Sequence, residues 1–137
     1  MRKIKFKAKR LDNQEWVYGY FYEENDNTYI IEDCQKESML NRNIPYKVNP
    51  DTACQFTGSV DKNGKEIYEG DVLNIGPAFC AVVWVESLGG FFLQEDCAKL
   101  PGVKPLGEML RRYDHEVIGN IHDDQKRDYY AGRKDNI

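Results

Sequence analysis

Residues 3–10, KIKFKAKR, alternate without a break: Lys3, Lys5, Lys7 and Lys9 on one side, Ile4, Phe6 and Ala8 on the other. A period of two is that of an extended strand with one wet and one buried face, and it rules out a helix there. Residues 16–22, WVYGYFY, repeat the period, with Trp16, Tyr18, Tyr20 and Tyr22 on one face and Val17, Gly19 and Phe21 on the other. Leu11-Asp12-Asn13-Gln14-Glu15 between them is turn chemistry. Asn25-Asp26-Asn27 turns the chain again, ahead of a third strand over 28–32. Strands joined by short polar turns pair as neighbours, so the chain begins with an antiparallel meander.

Residues 35–53, interrupted by Pro45 and Pro50, read as connector, with Asn49-Pro50-Asp51-Thr52 suited to a turn or to a single helical turn that Asn49 caps and Pro50 begins. Strands return at 56–61 and 66–68 around Asn63-Gly64, a pair suited to a type I′ hairpin. Gly70-Asp71 then makes a corner before a strand over 72–75. The segments CAVVWVE (80–86) and FFLQ (91–94) bracket Ser87-Leu88-Gly89-Gly90 as a further hairpin. Leu106, Met109, Leu110 and Tyr113 fall at i, i+3, i+4 and i+7, the stripe of one amphipathic helix of about three turns. EVIGNIH (116–122) is the last strand. The fold expected is mainly β: the meander, a small, partly open, SH3-like barrel, and one helix near the C-terminus. Residues 1–123 form the β-rich domain, and 124–137 a polar tail.

Composition narrows the function classes. No apolar run approaches the ~20 residues that cross a bilayer, and the basic start lacks the apolar segment of a signal peptide. Cys34, Cys54, Cys80 and Cys97 show no CxxC spacing, and without an export signal they read as reduced thiols of a cytoplasmic protein. The net charge of −4 is uneven: residues 1–10 carry six basic side chains, leaving 13 basic against 23 acidic elsewhere, a net of −10. Such a chain is a poor generic nucleic-acid binder, although a local basic strip still matters.

The segment DKNGKEIYEGD (61–71) holds the densest group of possible ligands. Read as a calcium loop with Gly64 at the sixth position, it offers Ser59, Asp61 and Asn63 as early ligands. The twelfth position, where a bidentate glutamate is required, is Gly70. The segment is therefore expected to turn the chain, with Asn63, Gly64, Gly70 and Asp71 as its structural residues. His115 and His122, seven apart on a strand, point to opposite faces, which weighs against a shared metal site. No nucleophile–base–orienter set and no phosphate-cradling glycine motif is present, so neither a catalytic residue nor a cofactor is expected.

QFTGSVDKNGKEIYEGDVL (55–73), VVWVESLGGFFL (82–93), EVIGNIHD (116–123) and the opening KIKFKAKRLDNQEWVYGY (3–20) resemble the YopX family of bacteriophage and prophage proteins. The resemblance spans about residues 3–123 and is most specific at 61–71. It implies a β-rich fold and a phage setting inside a bacterial cell, and it carries over no catalytic residues.

Function then turns on the strand at 16–22. Its two loaded faces suggest a non-catalytic interaction module that self-associates, or binds a phage or host protein, through Trp16, Tyr18, Tyr20 and Tyr22. The alternative is nucleic-acid binding, with Lys3, Lys5, Lys7 and Lys9 beside the rings. Turn parity separates the two. An even turn after the first strand sets Lys9 opposite Trp16 and Lys7 opposite Tyr18, whereas an odd turn sends the rings into the core with Ile4 and Phe6. Overall acidity favours the odd turn, with the lysines as a solvated edge. An enzyme is the weakest alternative.

Overall fold

A computed structural model describes residues 3–32, 44–76, 78–95 and 103–123. Its strands are β1 (Phe6–Lys9), β2 (Trp16–Glu24), β3 (Asn27–Glu32), β4 (Pro45–Val48), β5 (Cys54–Val60), β6 (Glu66–Tyr68), β7 (Asp71–Ile75), β8 (Ala78–Val85), β9 (Gly90–Glu95), β10 (Val103–Pro105) and β11 (Glu116–Asn120). A helix, α1, spans Leu106–Arg112. The strands form two open antiparallel sheets, in the orders β4-β3-β2-β1-β5-β6 and β10-β9-β8-β7-β11. The chain is mainly β with one helix near the C-terminus, as expected, but neither sheet closes into a barrel.

The chain divides into two compact units, Met1–Phe56 and Thr57–Ile137, and the division falls within β5. Each unit has its own core. In the first, Ala8, Val17, Ile30 and Val48 are buried together, with Phe6, Tyr46 and Ala53 packed on them. The meander curls over this core: Arg10 and Val48 form an isolated antiparallel bridge, with Leu11 N–H donating to Lys47 C=O at 3.1 Å and Asn49 N–H to Lys9 C=O at 2.9 Å.

The first turn decides which residues face that core. Arg10 N–H donates to Glu15 C=O at 2.9 Å and closes a loop of four residues, 11–14. Gln14 supplies its left-handed backbone step, at φ 63°. Four is even, so Lys7 pairs with Tyr18 and Lys9 with Trp16, while Ala8 pairs with Val17 and Phe6 with Gly19. The expectation of rings in the core with lysines at a solvated edge is thereby overturned. Ala8 and Val17 are small enough to fill the inside of the curl, and the larger rings lie on the other face with the lysines.

Two further local expectations change. The segment read as connector contains β4, paired with β3 through Val48 opposite Thr28 and Tyr46 opposite Ile30. The 3-10 turn Pro50–Thr52 follows, capped by Asn49 as expected: its Oδ1 accepts from Asp51 N–H at 3.0 Å. The type I′ turn falls at Asn25-Asp26, both at positive φ (51° and 65°), between the paired residues Glu24 and Asn27. Asn63 is not at positive φ. Gly64 alone takes that step, at 81°, with its N–H donating to Asp61 C=O at 3.0 Å, and Asp61 N–H donates to Lys65 C=O at 2.8 Å. That is a three-residue hairpin loop ending in a left-handed glycine.

In the second unit Ile67, Leu73, Ile75, Cys80, Val82, Leu93, Leu106 and Val117 form the core, with Met109 and Leu110 packed against it. The helix is shorter than its stripe suggested. Tyr113 is already extended at the C-cap and is exposed. Cys54 and Cys80 are buried, while Cys34, Cys97 and the tail 124–137 lie outside the described residues.

Candidate functional site: a lysine and aromatic face

On the face of the first sheet opposite its core, β2 presents Trp16, Tyr18, Tyr20 and Tyr22. A ring recurs at every second residue, about 6.8 Å apart along the strand. Tyr18 is 43% exposed and Tyr20 54%. Trp16 is half-buried, with two ammonium groups of β1 over its ring, Lys7 Nζ at 4.7 Å and Lys9 Nζ at 5.4 Å from its centroid. Such cation–π contacts position the cations beside the ring. At the other end Tyr22 stacks on Tyr29 of β3, with centroids 5.1 Å apart and planes 19° from parallel.

Lysines flank this row on both sides. Lys5 lies with Nζ 5.5 Å from the Phe56 ring centroid on the β1 side. On the β3 side Tyr29 pairs with Lys47 of β4, which is exposed. Lys3, ahead of β1, is exposed as well. Lys7 differs from the rest. It is only 6% exposed, so it holds the Trp16 ring and has little reach into solvent. The structure thus brings together Trp16, Tyr18, Tyr20, Tyr22, Lys5, Lys7 and Lys9, and adds Tyr29, Lys47 and Phe56, which the sequence reading did not place here. The alternation of Tyr46 and Val48 around Lys47 was the available signal.

The residues of 61–71 serve the second unit from within. Asp61 is buried; its Oδ1 accepts from Asn63 N–H (2.9 Å) and Lys65 N–H (2.8 Å), and its Oδ2 from Val117 N–H of β11 (3.0 Å). Burial alone would raise its pKa. The three backbone N–H bonds and the nearby His115 outweigh it and hold the carboxyl below its ordinary 3.8. Asp71 Oδ2 accepts from Tyr68 N–H at 2.8 Å, and its Oδ1 accepts from the Asn120 amide at 2.9 Å. Gly70 stands at φ 84°, where a Cβ would come within 3.2 Å of Asn120 Nδ2. Both carboxylates are engaged in fastening β11 and the turns.

His115 and His122 lie at the two ends of β11. The His115 ring nitrogens are 3.0 Å from Tyr113 C=O and 3.2 Å from Val60 C=O. Among the described residues no group of three or more His, Cys, Asp or Glu is placed to hold a metal ion. No helix among them is long and apolar enough to cross a membrane.

The geometry is that of a small two-sheet protein carrying a cationic, ring-bearing surface on its first unit. Residues 5–127 match the family model described as YopX protein, and the chain belongs to that family. It is similar to a solved structure, the crystal structure of protein EF1440 from Enterococcus faecalis. That likeness has 25% sequence identity and a TM-score of 0.56, covering 93% of this chain and 99% of that one. No curated protein matches.

Proposed function

We propose that the chain is a non-catalytic binding module whose working surface is the lysine and aromatic face of the first sheet, and that its partner is anionic. The supporting observation is the register: with Lys9 opposite Trp16 and Lys7 opposite Tyr18, cations and rings share one face. That face contrasts with the −10 carried by residues 11–137. The phage and bacterial-cytoplasm setting implied by the family resemblance is compatible with such a role. Retention on immobilised heparin tests the surface irrespective of the natural partner. Wild type is expected to elute at higher salt than Lys9→Gln or Lys47→Gln. Equal elution of all three would refute the proposal.

A second reading keeps the surface and makes the occupant another copy of the chain, or a phage or host protein. Exposed Tyr18 and Tyr20 favour burial by a partner. A two-fold contact would set one cationic face against another, so charge favours a heterologous contact with the acidic remainder of a second copy. Sedimentation at micromolar concentration decides this, an oligomer dissociated by Tyr20→Glu being the supporting result.

A further inference from the structure

Resting on that reading of the face, we propose that its occupant is a single-stranded nucleic acid, with bases stacking on Tyr18 and Tyr20 and phosphates meeting Lys5, Lys9 and Lys47. The two components of the surface select different features of a ligand. Lysines alone recognise any polyanion, an acidic peptide included. Aromatic rings left exposed in a row recognise flat π faces, which an acidic peptide does not regularly offer. A strand of nucleic acid offers both, phosphate and base, repeated along one line.

The layout suits that line. The rings of β2 recur every second residue at about 6.8 Å, and lysines stand on either side of them: those of β1 one strand away, at about 4.8 Å, and Lys47 two strands away. A ligand lying along β2 therefore meets rings beneath it and ammonium groups at its edges. Trp16 and Tyr22 bound the row, the first in contact with Lys7 and Lys9, the second stacked on Tyr29. Tyr18 and Tyr20, the two most exposed rings, are its middle. A duplex is excluded from this mode, because its bases are stacked on one another and present only their edges.

The test is an anisotropy titration of the full chain with a short labelled oligothymidylate, an abasic strand of the same length, an oligouridylate and the corresponding duplex. The expected result is preference for a base-bearing single strand over the abasic strand by roughly tenfold or more, in the range expected for one or two stacked bases. Whichever of the DNA or RNA strands binds tighter names the source. Tyr18→Ala and Tyr20→Ala should each reduce that preference, with the urea midpoint of each variant measured alongside so that a loss of fold is told apart from a loss of stacking. Lys9→Gln and Lys47→Gln should weaken binding of every strand and flatten its salt dependence.

Equal affinity for base-bearing and abasic strands, or preference for the duplex, would overturn this inference while the broader reading stands on heparin retention. Strong heparin retention with no oligonucleotide binding would do the same and leave a protein as the occupant. Loss of both would refute the surface itself.

Discussion

The Asn120 side-chain amide donates to Asp71 Oδ1 at 2.9 Å across 49 residues of sequence, and both side chains are only 1% exposed. The pair ties the corner before β7 to the end of β11, joining two of the most recognisable segments of the chain. Asn120 Oδ1 also accepts from His122 N–H at 2.9 Å, and its Nδ2 approaches Glu69 C=O at 3.4 Å. Asn120→Ala would leave a buried carboxylate oxygen short of a donor. It should cost about 1–3 kcal/mol in urea unfolding, and a loss below about 0.5 kcal/mol would contradict the assignment.

Asp61 makes the second unit acid-sensitive. Its folded pKa is depressed, so its contribution to stability is fully present above its ordinary 3.8 and is lost as pH falls through the lower folded value. Asp61→Asn keeps the shape and replaces one acceptor oxygen by a donor. At pH 7 it should destabilise by about 1–3 kcal/mol. The gap to wild type should narrow below pH ~4 as the wild-type carboxyl protonates. A gap independent of pH would show that the ionised form is not what matters.

The two glycines of 61–71 should behave differently. Gly64 and Gly70 share a positive φ, but a Cβ on Gly64 meets open space and one on Gly70 meets Asn120. Gly64→Ala should cost about 1 kcal/mol from backbone strain alone, and Gly70→Ala measurably more. Equal costs would mean that the Asn120 side chain yields freely.

Gly19 is a stricter case. A Cβ there would sit 2.0 Å from the backbone oxygen of Ile31 on the neighbouring strand. Gly19→Ala must push β2 and β3 apart, with a loss of at least ~1–3 kcal/mol. It should also change the stacking of Tyr22 on Tyr29, visible in near-ultraviolet circular dichroism. Unchanged stability and spectrum would contradict the close approach.

Much of the fold was legible because period-two alternation survives in short segments: residues 3–10 and 16–22 announce strands, and 66–68 matches β6 as observed. The face carrying the candidate site was not legible. It depends on whether three or four residues lie in one loop, and the loop's left-handed step falls on Gln14, a residue that does not advertise it. Overall charge pointed to the wrong register because packing size, Ala8 and Val17 within a tight curl, governs which face turns inward. In the sequence Asp61 read only as a strand end and as one ligand of a calcium loop that Gly70 rules out. Its bond to Val117, 56 residues away, has no local signature. Tyr113 completes a helical stripe in sequence, yet α1 ends at Arg112.

Trp16 sits on the lysine and aromatic face proposed to bind an anionic partner, and its emission reports on that face directly. The chain has two tryptophans, and Trp84 is itself exposed, so Trp84→Phe leaves Trp16 as the only tryptophan with little cost to the fold. The measurement is the emission of that variant titrated with heparin at low salt and again at high salt. A saturable change in Trp16 emission at low salt, reversed at high salt and weakened by Lys9→Gln, is the predicted result. Emission that stays constant while heparin binding is established by retention would place the anionic partner elsewhere on the molecule and contradict the account.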